Sequence, residues 1–113
     1  MHEMSICANI IDILKEQAET QSFRKVVKLS LGVGQLSDVE SDALQFGFEI
    51  VARGSIAEGA ELHIEQIDGR GWCSQCSGEV PLPERFYPCP DCGTVGLTPC
   101  AGTELKIQNI EVL

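Results

Sequence analysis

The chain of 113 residues contains few aromatic side chains and few cations. One Trp, one Tyr and four Phe make up 5% of it, so any core must be built mainly from aliphatic side chains. Eight Lys and Arg stand against 17 Asp and Glu, which gives a formal net charge of −9. This balance disfavours sequence-independent binding to nucleic acid or anionic lipid, because such affinity comes from cations that neutralise phosphates.

Membrane-spanning and catalytic signatures are also missing. The apolar runs stay well below the roughly 18 residues that a spanning helix needs, and the first residues resemble neither a secretory nor an organellar leader. There is no Gly-rich phosphate loop, nucleophile elbow or His-Glu-x-x-His pair. We therefore expect a cytoplasmic protein that is not an enzyme. A reactive pairing of His63 with Cys7 or Cys100 is the enzymatic alternative that the sequence leaves open.

Four of the six cysteines have metal-ligand spacing. They form two Cys-x-x-Cys pairs separated by twelve residues, Cys73 with Cys76 and Cys89 with Cys92. Such a double knuckle places four thiolates tetrahedrally around one Zn²⁺, and a closed shell of this kind is structural rather than catalytic. Neighbouring proline and glycine residues favour the tight turns that chelation requires. Two disulfides or a redox dithiol are the alternative, although a redox pair requires one Cys-x-x-Cys at the start of a helix.

The other two cysteines lie outside this pattern. Cys7 falls on an apolar helical stripe, where we expect it to pack as a small hydrophobic residue. Cys100 follows Cys92 by eight residues. We expect a buried or half-exposed thiol there, and a spare metal ligand is the alternative.

Hydrophobic periodicity predicts two helices and three strands. Apolar residues at spacings of three and four indicate a helix over 4–19. A capping-box pattern over 37–40 indicates a second helix that ends near Gly54, with these residues facing inward: Val39, Ala43, Phe46, Ile50 and Val51. Alternation predicts strands over 25–34, 60–67 and 103–113, the last with a bulge at Asn109. We expect the sheet to be half-exposed, since a buried parallel sheet has continuous apolar strands.

These elements define an α+β fold, with two helices packed on one face of a three-stranded sheet and an inserted, four-cysteine, zinc-ribbon-like lobe. Residues 1–69 together with 102–113 form the main domain. Residues 70–101 form a zinc-binding domain that is short of apolar side chains and cannot fold on core burial alone.

The first dipeptide carries a second set of metal ligands. The Met1 amine, the deprotonated His2 amide nitrogen and His2 Nδ1 close adjacent five- and six-membered chelate rings. Three nitrogens in one plane suit Ni²⁺ or Cu²⁺, and the amide or carboxylate of Glu3 is a candidate fourth ligand. A solvated terminal histidine is the alternative at this point. His63 lies on the polar face of a predicted strand, where we expect it to be exposed.

Four stretches of the chain resemble the HypA/HybF nickel metallochaperones of hydrogenase maturation in the order found in that family. They are residues 1–7, residues 54–60, the two cysteine pairs, and residues 102–112. The resemblance implies a small α/β nickel-binding domain, residues 1–69 with 102–113, and a zinc domain. It implies delivery of Ni²⁺ to the [NiFe]-hydrogenase large subunit in cooperation with the GTPase HypB, and some members also supply urease maturation.

The resemblance also implies roles for individual residues. His2 matches the nickel ligand, and Glu3 matches a position implicated in the same site. Cys73, Cys76, Cys89 and Cys92 match the zinc ligands. Glu40 stands where some relatives have a carboxylate near nickel, although the capping box explains it equally well. Thr94 replaces the usual Ser after Cys-Gly. The rival interpretation is a zinc-ribbon interaction module without nickel cargo.

Overall fold

The computed structural model describes residues 3–113 and has an α+β fold, as the sequence predicts. The described part of the chain contains two helices and two three-stranded sheets. The elements in chain order are α1 Glu3–Gln21, β1 Val26–Gly34, α2 Ser41–Val51, β2 Glu61–Ile67, β3 Arg70–Cys73, β4 Gly78–Pro81, β5 Thr98–Ala101 and β6 Leu105–Val112.

The chain folds into two compact units. The first unit contains the residues up to 31, residues 39–64 and residues 107–113. The second unit contains residues 32–38 and 65–106, and it includes all four cysteines of the two knuckles. No helix within residues 3–113 combines the length and apolarity needed to cross a bilayer.

The first sheet has the strand order β2-β1-β6. Hydrogen bonds join the start of β1 to the segment before β2 (Val26 to Ile56, 2.9 Å) and its end to the end of β2 (Gln35 to Ile67, 2.8 Å). Strands β1 and β2 therefore run parallel, with α2 as the crossover. Strand β6 pairs antiparallel to β1, since Lys25 bonds Leu113 at one end and Gly34 bonds Glu104 at the other.

Two predictions about this sheet are wrong. Lys25 pairs with Leu113 at one end of β1–β6, and Gly34 pairs with Glu104 at the other. The two strands have equal numbers of residues between these pairs, so neither has a net extra residue, and the bulge expected at Asn109 is not needed. The second half of β1 is buried at every position from Leu29 to Gly34 rather than alternating. The reason is that β1 is the central strand and is covered on both faces there, as strands with parallel partners commonly are.

Helix α1 confirms the central part of its predicted apolar stripe, whereas Met4 at one end of the stripe is 48% exposed and Ala18 at the other is half-buried. Cys7, Ile10, Ile11 and Leu14 are all buried, and the opposite face is exposed. The contact with α2 centres on Gly47, where an added Cβ would lie 3.0 Å from Met4 Sδ and 3.3 Å from Cys7 Sγ. The absence of a side chain at Gly47 thus lets the two helices approach closely.

Helix α2 has a different buried face from the predicted one. Its buried residues are Leu44, Gly47 and Phe48, whereas Phe46 is 66% exposed. The prediction failed because apolar residues occur on several sides of this helix, so periodicity alone does not define its inner face. The close contact at Gly47 selects the face that includes Phe48.

The second unit contains a sheet that the sequence did not reveal, with the order β4-β3-β5. Each of its strands has four residues, which is too short for an alternation signal. Strand β5 pairs with β3 through Pro99 and Ala101, and the register shifts between them so that Cys100 is the extra, bulged residue. The buried hydrophobic cluster beside this sheet consists of Cys73, Val80 and Cys89, with Leu97 packed against it.

Candidate metal centre

The two knuckles are built from a hairpin and a loop. Cys73 is the last residue of β3 and pairs with Gly78 of β4, so Cys76 lies in the connecting turn. In the second knuckle, the Gly93 N–H donates to the Cys89 carbonyl oxygen at 2.8 Å, and Gly93 has a φ of 77°. Glycine occupies this left-handed conformation without the steric cost that a Cβ would add.

The four sulfur atoms come together as the spacing predicts. The Sγ atoms of Cys73, Cys76, Cys89 and Cys92 all lie within 4.8 Å of one another. Cys73 Sγ is 3.6 Å from Cys92 Sγ, and Cys76 Sγ is 3.9 Å from Cys89 Sγ. A tetrahedron of thiolates at about 2.3 Å from Zn²⁺ has edges of about 3.8 Å. The donor set and its dimensions therefore fit a four-coordinate zinc ion, and all six cysteines of the chain are free of disulfides.

Burial divides the four ligands into two classes. Cys73 and Cys89 are buried and belong to the hydrophobic cluster, whereas Cys76 and Cys92 are exposed. Each knuckle thus contributes one inner and one outer sulfur. The inner pair ties a bound ion to the packing of the unit, and the outer pair leaves the site open to solvent on one side.

Thr94 lowers the pKa of Cys92, one of the two outer cysteines. Its hydroxyl lies 3.0 Å from Cys92 Sγ. Hydrogen bonds from this hydroxyl and from the Thr94 backbone N–H lower the pKa of Cys92 to about 6. The pKa of Cys76 is raised to about 12, and the largest cause is its hydrogen bond with Cys92. Without a bound ion, the thiolate form is therefore favoured at Cys92 and disfavoured at Cys76.

The remaining cysteines do not join this cluster. Cys7 is buried and its thiol donates to the Leu44 carbonyl oxygen at 3.5 Å, which confirms the prediction that it packs as a small core residue. Burial, followed by the charge of Glu3, raises the pKa of Cys7. Cys100 is exposed, so the expectation of a buried or half-exposed thiol is wrong. Among the described residues it lies outside the group of four, so the alternative of a spare metal ligand gains no support.

Glu3 is the described residue nearest to the predicted nickel ligands in sequence. It is the first residue of α1, and its side chain is buried. Glu3 Oε2 accepts a hydrogen bond from the Glu40 backbone N–H at 3.2 Å. The backbone N–H groups of Glu3 itself and of Glu40 lower the pKa of Glu3, so its carboxylate is ionised near neutral pH. Met1 and His2 lie outside the described residues.

The capping box predicted for α2 is wrong. Glu40 is the N-cap residue, in an extended conformation and without a side-chain cap hydrogen bond. The Ser37 hydroxyl donates instead to the Gly34 carbonyl oxygen at 2.7 Å, and Asp38 has a φ of 62°. The carboxylate of Glu3 accepts a hydrogen bond from the backbone N–H of Glu40, so the Glu40 backbone contacts the Glu3 side chain. His63 is exposed on β2, as predicted.

Sequence reasoning missed the contributions of Thr94 and of the Glu40 N–H. A hydroxyl residue two positions after a ligand cysteine is a usable signal for a hydrogen bond to the thiolate. The contact between Glu3 and Glu40 joins residues 37 positions apart. No local pattern predicts it.

Known proteins match the chain over its whole length. The family profile described as "Hydrogenase/urease nickel incorporation, metallochaperone, hypA" matches residues 1–112. The hydrogenase maturation factor HypA of Xanthobacter autotrophicus is 43% identical over 113 residues, and the alignment covers 100% of each chain. The HypA of Alkalilimnicola ehrlichii is 46% identical over 112 residues, with 99% of each chain covered.

Solved structures share the fold. The solution structure of the Ni metallochaperone HypA from Helicobacter pylori has a TM-score of 0.72 and covers 100% of this chain and 98% of that one, at 23% identity. A second HypA solution structure has a TM-score of 0.66 at 24% identity. The α+β arrangement described above is thus found in experimentally determined relatives.

Proposed function

Since the chain belongs to the HypA family of nickel-incorporation metallochaperones, we propose that it binds Ni²⁺ at its amino terminus and delivers the ion to the large subunit of [NiFe]-hydrogenase. The proposed nickel donors are the Met1 amine, the His2 amide nitrogen and imidazole, and, as the fourth ligand, Glu3. Residues 1–69 with 102–113 are the nickel-binding part, and residues 70–101 are the zinc-binding part.

The observation that carries this proposal is the state of Glu3. Glu3 directly follows the proposed nitrogen donors in the sequence. Its carboxylate is buried, accepts hydrogen bonds from backbone N–H groups and stays ionised. It supplies a negative charge where a divalent cation would bind, and its position is fixed by both helices. Three nitrogens and one oxygen form a donor set that suits the tetragonal preference of Ni²⁺.

The four cysteines fit a different task. We propose that Zn²⁺ is held by Cys73, Cys76, Cys89 and Cys92 as a permanent structural ion. Thiolate donors at tetrahedral spacing favour zinc, and two ligands are part of the hydrophobic cluster. Nickel as cargo must instead be bound reversibly, and a chelate at a chain end can release its ion one ligand at a time.

Delivery also requires partners. We propose that the GTPase HypB and the hydrogenase large subunit bind this protein in the cytoplasm, with urease maturation proteins as further partners. The net charge of −9 argues against nucleic acid as a partner. We propose that the chain, as a member of a metallochaperone family, catalyses no reaction of its own.

Equilibrium nickel titration of the zinc-loaded, untagged protein tests the proposal, because any extension would remove the amine donor. We expect His2→Ala to weaken nickel binding by about 100-fold, since it removes one chelate ring and its donor. His63→Ala is the matched control: it removes the exposed histidine of β2 and should leave nickel affinity and zinc content unchanged. We also expect affinity to fall as the pH drops below neutrality, because protons compete for all three nitrogens.

Two results would contradict the proposal. Nickel affinity that does not change in His2→Ala would remove the proposed ligand. X-ray absorption that places nickel on sulfur would move the cargo to the cysteines. Absence of nickel binding by the native protein would favour the rival interpretation, a zinc-ribbon interaction module.

A further inference from the structure

Part of the apolar stripe predicted for the inner side of α2 lies on its outer side. Phe46 is 66% exposed, Ala43 is exposed and Ile50 is half-buried. Residues three and four apart are neighbours on a helix surface, so these side chains form one strip. Met4 of α1, 48% exposed, extends this strip, because its Sδ lies 3.0 Å from the place of a Cβ on Gly47, the α2 residue after Phe46. We call Met4, Ala43, Phe46 and Ile50 the Phe46 patch.

Carboxylates border the Phe46 patch along α2. Asp42 and Glu49 stand four residues before and three residues after Phe46, so both are neighbours of Phe46 on the helix surface. Both are exposed. The nearest cation along this part of the chain is Arg53, about two turns beyond Phe46 and past the end of the helix. On the α1 side, the nearest cation in sequence is Lys15, about three turns from the patch. Helix α2 thus presents an apolar strip with an acidic border.

A groove of about 380 Å³ adjoins this border between α2 and the segment that leads into β2. Its floor consists of four buried apolar residues, Phe48, Ala52, Ala57 and Leu62. Glu49 and Glu61 also line the groove, and both are exposed. Within residues 3–113, neither of these two carboxylates forms an ion pair. An apolar floor with two carboxylates fits the methylene stem and the charged end of a Lys or Arg side chain.

The same charges argue against a second copy of this chain as the occupant of the Phe46 patch. Two α2 helices packed antiparallel about Phe46 would bring Asp42 of each copy beside Glu49 of the other. Like charges that face each other across an interface suppress binding, whereas opposite charges favour it. The acidic border therefore selects a basic partner.

We propose that the Phe46 patch binds a basic amphipathic helix of a partner protein, whose apolar stripe covers Phe46 and whose Lys or Arg side chains enter the groove between Glu49 and Glu61. The strip from Ala43 to Ile50 spans about two helical turns, which matches the anchors that one helix presents at spacings of three and four. An exposed aromatic residue at the centre of such a strip supplies most of the binding energy. This inference goes beyond the proposed function, because it requires neither metal ion.

The probe is a synthetic peptide of about 18 residues, with leucine at spacings of three and four and lysine at the flanking positions, which forms a basic amphipathic helix. Fluorescence anisotropy of the labelled peptide measures its Kd for the native protein. Two control peptides carry glutamate in place of lysine, or the same residues scrambled so that leucine forms no stripe. We expect both controls to bind at least about tenfold more weakly. In NMR spectra of the native protein, the basic peptide should shift amide signals of α2, of the first turn of α1 and of residues 57–62.

Substitutions in the Phe46 patch and its border test the two parts of the proposal. Phe46→Gln removes the ring at an exposed position and should keep the Tm within about 3 °C of the native value. We expect it to weaken the Kd of the basic peptide at least about tenfold. Asp42→Asn with Glu49→Gln should weaken it about fivefold and reduce its dependence on salt concentration.

Matched controls lie in the second unit. Phe86→Asn removes a ring that is 89% exposed, and asparagine accepts the φ of 68° found there. Glu84→Gln with Asp91→Asn removes two exposed carboxylates. Both variants should leave the Kd of the basic peptide unchanged.

Several results would overturn the inference. Equal binding of the scrambled peptide would mean that net charge alone attracts the probe. An equal loss in Phe86→Asn would mean that exposed rings adhere unspecifically, and an unchanged Kd in Phe46→Gln would remove the anchor. A dimer in analytical ultracentrifugation that Phe46→Gln dissociates would assign the patch to a second copy. If Phe46→Gln loses its fold, the NMR spectra of the native protein decide, and amide shifts confined to the second unit would contradict the proposed surface.

Discussion

At the scale of single residues, the backbone N–H groups of Glu3 itself and of Glu40 lower the pKa of the Glu3 carboxylate, which is next to the proposed nickel donors in sequence. The Glu40 N–H lies at the N-cap of α2, where the first N–H groups of a helix lack partners within the helix. Glu3 Oε2 accepts from this N–H at 3.2 Å, which favours the ionised form. The carboxylate of Glu40 is exposed and is not needed for this contact.

Substitutions at position 40 distinguish the effect of the Glu40 N–H from that of the Glu40 carboxylate. Glu40→Pro removes the N–H and is compatible with the φ of −81° found there, whereas Glu40→Gln keeps the N–H and removes the carboxylate. We expect the pKa of Glu3 to rise in Glu40→Pro and to stay unchanged in Glu40→Gln, as measured by carbon-detected NMR titration of the nickel-free protein. A pKa of Glu3 that responds only to Glu40→Gln would show that the side chain, not the backbone, controls it.

The direction of the pKa shift also determines a pH dependence. The pKa of Glu3 in the folded protein lies below its ordinary value of 4.5. Its contribution to stability is therefore fully present above that value and is lost as the pH falls through the folded-state pKa. The same protonation removes the negative charge from the proposed nickel site, so it acts in the same direction as proton competition for the nitrogen donors.

At the scale of elements, the contact between α1 and α2 depends on Gly47. Glycine inside a helix costs about 1 kcal/mol relative to alanine, so its presence in α2 needs a packing reason. The reason is that a Cβ would meet Met4 Sδ at 3.0 Å and Cys7 Sγ at 3.3 Å. Met4 is half-exposed and can move, whereas Cys7 is fully buried and cannot.

This packing predicts coupled effects of two substitutions. Gly47→Ala alone should lower the free energy of unfolding by about 1 kcal/mol, because the cost of overpacking against Cys7 exceeds the gain in helix propensity. In a Cys7→Ala background the space is available, and Gly47→Ala should raise the free energy of unfolding instead. Urea unfolding of the four proteins in the cycle measures the coupling. Additive effects would show that Cys7 does not limit the approach of the helices.

The same elements show where sequence patterns were sufficient. Helix α1 has one apolar stripe, and its buried face follows directly from the spacing of Cys7, Ile11 and Leu14. Helix α2 has apolar residues on several sides, and the choice of Phe48 over Phe46 as the buried ring depends on a partner helix distant in sequence. The strands of the second sheet are too short to alternate.

At the scale of the whole molecule, the candidate zinc site was predictable and its surroundings were not. Two Cys-x-x-Cys pairs specify their own chemistry, because ligand spacing is a local property. The division into two units depends on pairings among residues 32–38, 65–69 and 102–106, which are far apart in the chain. Gly34 illustrates this: an added Cβ would lie 2.1 Å from the Gly102 carbonyl oxygen, a contact that only the folded chain reveals.

Zinc removal should affect the two units unequally. Among the described residues, the buried cluster of the knuckle region consists of Cys73, Val80 and Cys89, with Leu97 beside it, so two of its three buried members are candidate metal ligands. Segments this small rarely fold without a metal or disulfides, and binding of the ion is then part of the folding free energy. The core of the first unit contains larger aliphatic side chains, including Leu14, Leu29 and Leu44, and does not use the cysteine ligands.

We therefore expect zinc chelation, or Cys76→Ser, to abolish amide-exchange protection in β3, β4 and β5, while α1 and α2 stay protected in hydrogen-exchange mass spectrometry. Cys100→Ser is the matched control, because Cys100 is an exposed cysteine of the same unit outside the group of four. It should keep both zinc and protection. Protection that persists in β3–β5 after the metal is gone would mean that the short strands are stable by themselves, and zinc would then have no structural role.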